Sequence, residues 1–154
     1  MALGACSAPS TQLSQRDLSA YMDQLTQWAP QEAEVGRAVR RMLETEFADE
    51  AEVRRQIAES VPRLDAQLVL LRAYRPRSTE LQEVHAAYLA AWEDLRTGYS
   101  DILRGFDAPD QTALGRGRAA LLAWRRALPE TAKRLRELRA ATDQGATKEA
   151  GPPT

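Results

Sequence analysis

The chain has 154 residues, a formal net charge of −1 and a single cysteine. This length suits one domain, which can bury roughly two thirds of the surface that its unfolded chain exposes. One cysteine excludes internal disulfides and a cysteine-based zinc site, and the balanced charge argues against a dedicated nucleic-acid-binding protein. No run of about 18 apolar residues is present, so no stretch is predicted to span a membrane.

The only cysteine ends the run Leu3-Gly4-Ala5-Cys6, and a polar stretch with the composition of a tether follows over residues 7–12. The run resembles the lipobox of bacterial lipoproteins. The resemblance implies that the Cys6 thiol receives a diacylglycerol and that the chain is cut just before Cys6. It also implies that the lipid on Cys6 anchors the protein on the extracytoplasmic side of a membrane, either inner or outer.

A secretory leader supplies a basic segment and roughly 7–15 apolar residues before its cleavage site. Only Met1 to Ala5 precede Cys6. We therefore expect either a start codon upstream of Met1 or a leader that has already been removed. The alternative is an accidental match, in which case Cys6 is a free thiol on a frayed cytosolic N-terminus.

Apolar residues recur at helical spacing in four long stretches that turn signals separate. The first helix is predicted to begin within residues 14–17 and to continue in phase through Pro30, which we expect to kink it. An acidic turn over residues 48–50 precedes the second helix. There, Pro62 either kinks the helix or follows a new start that Ser60 caps.

The clearest break is the Arg-Pro-Arg-Ser turn at residues 75–78, because proline cannot continue a helix and serine can cap the next one. The third helix is predicted to reach about Phe106, and a turn over residues 105–109 leads to the fourth. Pro129 is a candidate kink in that last helix. From Thr142 onward the chain is rich in Gly, Pro and Thr, a composition that predicts disorder.

These patterns predict an all-α fold, an antiparallel up-down-up-down four-helix bundle with long, proline-kinked helices. The expected organisation is a lipobox-like N-terminus and tether over residues 1–13, the bundle over 14–141 and a disordered tail over 142–154. In this topology the N-terminus, the second turn and the C-terminus share one end of the bundle. The first and fourth helices would be neighbours.

The end that would carry the lipid is predicted to be basic, and the opposite end acidic. Anionic lipid surfaces attract each nearby Lys or Arg by about 1 kcal/mol, so we expect the basic end to face the membrane. The alternative is that these charges only match the dipoles of the helix ends. The expected membrane-proximal residues are Arg16, Arg72, Arg75, Arg77, Arg134, Arg136 and Arg139.

His85 is the only histidine and lies on an apolar stripe. Di-iron bundles need Glu-x-x-His pairs on two helices, and position 82 is glutamine here, so no metal site is predicted. No nucleophile accompanies His85, and we predict no catalytic residues and no cofactor. Aromatic residues at helical spacing are mostly core, although bundles can hold ligands between helices. The candidate pocket residues are Trp28, His85, Tyr88 and Trp92.

Two functions follow from these observations. The first is a non-enzymatic, lipid-anchored, extracytoplasmic bundle that binds an unidentified protein or envelope partner. The second is a soluble or periplasmic bundle that binds a small ligand, with its pocket at the shared level of Pro30 and Pro62.

Overall fold

The computed structural model describes the backbone of residues 13–149 and the side chains of residues 13–144. Over this range the chain forms four α-helices and no strand, which confirms the predicted all-α class. Contacts between successive helices, and between the first and the fourth, are consistent with a bundle. The helices are α1 (Gln15–Glu44), α2 (Glu50–Ala73), α3 (Thr79–Asp107) and α4 (Gln111–Glu149).

At the start of each helix, a side chain accepts a hydrogen bond from a backbone N–H group of the first turn. Ser14 accepts from the N–H of Asp17 at 3.1 Å, and Asp110 accepts from the N–H groups of Thr112 and Ala113. The first turn of a helix has N–H groups without partners inside the helix, so these caps fix where each helix starts. The caps of the four helices are Ser14, Asp49, Ser78 and Asp110.

Three helices continue through a proline: Pro30 lies within α1, Pro62 within α2 and Pro129 within α4. The alternative of a new helix start at Ser60 is therefore wrong, because Ser60 lies in the middle of an unbroken α2. The predicted kinks at the prolines stay predictions.

The fourth helix extends to Glu149, eight residues beyond the boundary predicted at residue 141. The expectation of disorder from Thr142 therefore differs from the structure over residues 142–149. Alanine, glutamine, lysine and glutamate in this stretch are good helix formers, and the first proline comes only at position 152. The Thr142 hydroxyl also donates to the carbonyl of Leu138 at 2.8 Å, as a residue inside a helix does. Residues 150–154 lie outside the described range.

The core has two clusters of buried apolar side chains. The larger cluster joins all four helices around Trp92 and Trp124. The smaller cluster joins the start of α1, the start of α3 and the C-terminal half of α4, and the turn between α2 and α3 contacts it through Tyr74. Its buried members are Leu18, Tyr21, Leu81, Val84, Leu135 and Leu138. The start of α1, the α2–α3 turn and the later part of α4 thus lie together.

Helices α3 and α4 approach each other closely at glycines. A Cβ atom on Gly98 would lie 2.5 Å from Cβ of Ala120, and one on Gly117 would lie 2.4 Å from Cγ1 of Ile102. Both distances are shorter than any real contact of a Cβ atom. Glycine at these positions therefore sets the separation of the two helices.

Candidate functional site

The four predicted pocket residues form a packed aromatic cluster. Trp28, His85, Tyr88 and Trp92 are all 5% exposed or less. The Trp28 ring stacks on Tyr88 with centroids 6.4 Å apart and contacts His85 at 6.0 Å, and Trp92 meets Tyr88 edge-on at 6.2 Å. These rings fill the core between α1 and α3, and Tyr88 also lines a groove at the surface.

Both ring nitrogens of His85 have hydrogen-bond partners. Nε2 lies 2.8 Å from the carbonyl oxygen of Leu71, which can only accept, so Nε2 carries the proton. Nδ1 therefore accepts from the hydroxyl of Tyr21, 3.2 Å away. Burial lowers the pKa of His85 and favours this neutral form. His85 joins α1 and α3 to the end of α2, and it has no free nitrogen for a metal or a substrate.

A groove of about 490 Å³ lies between α1 and α4, with Tyr88 of α3 at its floor. The residues on its walls are mostly apolar or small. They are Met22, Leu25, Thr26, Ala29 and Glu32 of α1 and Leu128, Thr131, Ala132, Leu135, Arg136 and Arg139 of α4. Its lining includes Ala29 and Leu128, the residues before Pro30 and Pro129, and no residue of α2. The sequence had predicted a pocket at the level of Pro30 and Pro62.

At the floor of the groove, the hydroxyl of Tyr88 donates to Oε2 of Glu32 across 2.5 Å. Burial, together with the neighbouring Glu32 carboxylate, raises the pKa of Tyr88 far above its ordinary value of 10.0. The phenol is therefore a fixed donor at any physiological pH. The hydroxyl of Tyr88 thus has its acceptor within the protein.

Arg136 and Arg139 are the cationic residues of the same groove. Both side chains are exposed, and neither makes an ion pair within the described residues. Arg139 and Met22 also line an adjoining, more polar depression, whose other residues include Asp23 and Asp143. The apolar part of the groove thus ends at two guanidinium groups.

The predicted basic residues divide among four places. Arg16, Arg75 and Arg77 line one depression of about 330 Å³ beside Tyr74, and Asp17 lies there too. Arg75 is held by the carbonyls of Arg72 and Tyr74. The start of α1 and the α2–α3 turn form the walls of this depression.

The remaining predicted arginines face other surfaces. Arg72 pairs with Glu93 at 3.0 Å, and Arg134 pairs with Glu137 at 3.4 Å. Arg136 and Arg139 lie in the α1–α4 groove described above. The seven residues are therefore not one continuous basic surface.

The end predicted to be acidic is interleaved with arginines. Asp101 is buried, and its carboxylate lies 2.9 Å from Arg104 and 3.4 Å from Arg116. Arg54 contacts Asp107 at 2.8 Å. The sequence did not indicate that α2 and α4 bring arginines to these acids, because both pairings cross between helices.

The sequence also missed the small and apolar residues that line the groove. Ala29 and Ala132 are the relevant signal: each lies near a proline, on helices that the topology makes neighbours. Small residues on facing helices leave space between them. Their pairing, however, depends on the rotation of each helix about its axis.

No group of three or more His, Cys, Asp or Glu within the described residues is arranged to hold a metal ion. None of the helices in that part of the chain is both long and apolar enough to cross a membrane. Cys6 lies outside the described residues. Comparisons with protein-family models, with curated proteins and with solved structures found no match to this chain.

Proposed function

We propose that this chain is a non-enzymatic, lipid-anchored helical-bundle protein of the bacterial cell envelope that binds a protein or another envelope component. The lipobox-like run ending at Cys6 carries the proposal. Cys6 precedes Gln15, the first residue of α1, by nine positions. At about 3.3–3.6 Å for each extended residue, this tether reaches about 30 Å. A lipid on Cys6 would therefore hold the start of α1 near the membrane surface.

The depression lined by Arg16, Arg75 and Arg77 supports the proposed orientation. It contains the start of α1, so a tether from Cys6 would bring these three arginines close to lipid head groups. Each basic side chain near an anionic surface contributes about 1 kcal/mol of attraction. In this orientation the turns between α1 and α2 and between α3 and α4 point away from the membrane and are free to meet a partner.

We also propose the up-down-up-down topology with bends at the prolines. Between α3 and α4 the contacts pair Trp92 with Trp124 and Gly105 with Leu114, so numbers rise on one helix as they fall on the other. Arg72 with Glu93 and Arg96 with Asp65 show the same order between α2 and α3. Between α1 and α4, Gln15 meets Asp143 and Gly36 meets Trp124. Opposed order at all three interfaces supports antiparallel neighbours.

Lipid labelling tests the anchor. The gene with its upstream DNA is expressed in a bacterial host that is fed a labelled fatty acid, with a Cys6→Ser variant as the control. We expect label on the unaltered protein, none on the variant, and an unprocessed precursor when the lipoprotein signal peptidase is inhibited. An unlabelled Cys6 in a soluble product would contradict the proposal.

Vesicle flotation tests the orientation without the lipid. The Cys6→Ser protein should float with vesicles that contain an anionic lipid and remain behind with neutral ones. Replacing Arg75 and Arg77 by Gln should weaken flotation, whereas Gln at Arg125 and Arg126, two exposed arginines of α4 outside that depression, should not. Equal flotation with both kinds of vesicle would contradict a basic face toward the membrane.

A second function is favoured by the α1–α4 groove, namely binding of a small ligand between the helices. Its volume of about 490 Å³ lies within the roughly 300–1,000 Å³ that ligand pockets usually have. This function is compatible with an anchored protein and does not require the anchor.

A further inference from the structure

We infer that the α1–α4 groove binds a single-chain amphiphile that ends in one carboxylate, a molecule of the fatty-acid class. Its head group lies at Arg136 and Arg139, and its chain lies between α1 and α4. The inference rests on the proposed small-ligand function, and it does not depend on lipidation of Cys6.

The shape of the groove suits a narrow chain. Its wall on α1 extends from Met22 to Glu32, which is about 15 Å along the axis at 1.5 Å per residue. Ala29 and Ala132 leave the space between the two walls open because neither side chain fills it. Met22, whose side chain is 39% exposed, is flexible enough to cover a chain that enters. The groove is therefore long and lined mainly by carbon.

The polar residues at the two ends of the groove indicate which chemical groups the two ends of the ligand carry. At the end near Glu32, the Tyr88 hydroxyl already donates to the Glu32 carboxylate and requires no group of the ligand. At the other end, near Met22, Arg136 and Arg139 have no carboxylate partner within the described residues. Guanidinium groups bind carboxylates through two parallel hydrogen bonds. An apolar chain with a carboxylate at one end matches this order of surfaces.

The neighbouring acids favour a head group with a single negative charge. Asp23 and Asp143 line the depression that shares Met22 and Arg139 with the groove, and Asp143 accepts a hydrogen bond from Gln15 at 2.9 Å. The Asp23 carboxylate would repel an anion near Arg139. This repulsion is greater for a doubly charged phosphate monoester than for a carboxylate.

Isothermal titration of the full-length Cys6→Ser protein, freed of bound lipid, tests the inference. The probe is dodecanoate below its micelle concentration, and dodecanol and dodecyltrimethylammonium have the same chain with other head groups. We expect saturable one-to-one binding of dodecanoate and binding of the other two that is weaker by about tenfold or more. Equal binding of all three would overturn the inference and leave the small-ligand function standing.

Two pairs of variants locate the site. Gln at both Arg136 and Arg139 should weaken dodecanoate binding by about tenfold or more, while Gln at both Arg125 and Arg126 should leave it unchanged. Phe at Ala29 should fill the groove and abolish binding, while Phe at Ala33, an exposed residue of the same helix outside the groove, should not.

Ala132→Phe provides a second filling variant in case Ala29→Phe does not fold. Binding that survives either folded filling variant would overturn the inference. Absence of saturable binding of all three probes would overturn the small-ligand function with it. A dimer that Ala29→Phe converts to a monomer would show that a second copy of the chain occupies the groove and would also overturn the inference.

Discussion

The hydroxyl of Tyr21 on α1 donates to Nδ1 of His85 on α3 across 3.2 Å, and both side chains are buried. We predict that Tyr21→Phe lowers the free energy of unfolding by about 1–2 kcal/mol, because it leaves a buried nitrogen without its donor. Urea denaturation measures the change. Tyr74→Phe is the matched control: its ring contacts the same histidine, but its hydroxyl makes no hydrogen bond within the described residues. A similar loss in both variants would contradict this role of the Tyr21 hydroxyl.

The buried neutral form of His85 predicts that the protein becomes less stable in mild acid. Burial lowers the pKa of His85 below its ordinary value of 6.5, so the unfolded chain takes up this proton first as the pH falls. The loss of unfolding free energy begins as the pH falls below about 6.5, the pKa of the unfolded chain. It is complete once the pH is below the lower pKa of the folded state.

The measurement is urea denaturation at about pH 7.5 and about pH 5.5 for the protein and for His85→Gln. The chain has no other histidine, so the difference between the two proteins isolates this group from the carboxylates. We expect a smaller drop in stability for His85→Gln. An equal drop would mean that His85 has the same pKa in the folded and unfolded states.

Two glycines of α4, two positions apart, should respond in opposite directions to alanine. A Cβ on Gly117 would lie 2.4 Å from Ile102 and 2.9 Å from the carbonyl oxygen of Gly98, so Gly117→Ala should destabilise by about 1–3 kcal/mol. A Cβ on Gly115 meets nothing within 4 Å, so Gly115→Ala should stabilise by about 0.5–1 kcal/mol through helix propensity alone. Thermal denaturation of both variants measures the two effects. Stabilisation by both would show that α3 and α4 are less tightly packed than the structure has them.

The number, order and limits of the helices could be predicted because each is encoded locally. Caps such as Ser14 and the turn at residues 75–78 stand in the sequence at the ends of apolar stripes with helical spacing. The end of α4 could not, because good helix formers alternate with Thr, Asp and Gly after Thr142, and the helix nevertheless continues to Glu149. Local propensity is a weak guide in such a stretch.

The sequence indicated a ligand pocket between helices, but it did not indicate which helices line the groove. The sequence indicated that kinked helices can hold a ligand, and it named Tyr88, which lies at the floor. It placed the space at the level of Pro30 and Pro62, because the rotation of α4 about its own axis is not visible in a stripe of apolar residues. That rotation brings Ala132 opposite α1 and directs Trp124 inward against Trp92.

Within the part of the chain that the structure describes, one buried amide has both polar atoms without partners. Gln67 of α2 is fully buried, and neither its Oε1 nor its Nε2 makes a hydrogen bond to a described residue. An unpaired buried polar group costs about 1–3 kcal/mol, so we predict that Gln67→Leu raises the free energy of unfolding by about that amount. Gln56→Leu is the control on the same helix, because Nε2 of Gln56 donates to Glu52 at 2.6 Å and its replacement loses that bond. In urea denaturation, the free energy of unfolding of Gln67→Leu should exceed that of the unaltered protein. That of Gln56→Leu should equal it or be lower. A loss of stability in Gln67→Leu would mean that internal water satisfies the amide, and that the core around Gln67 is wetter than its complete burial indicates.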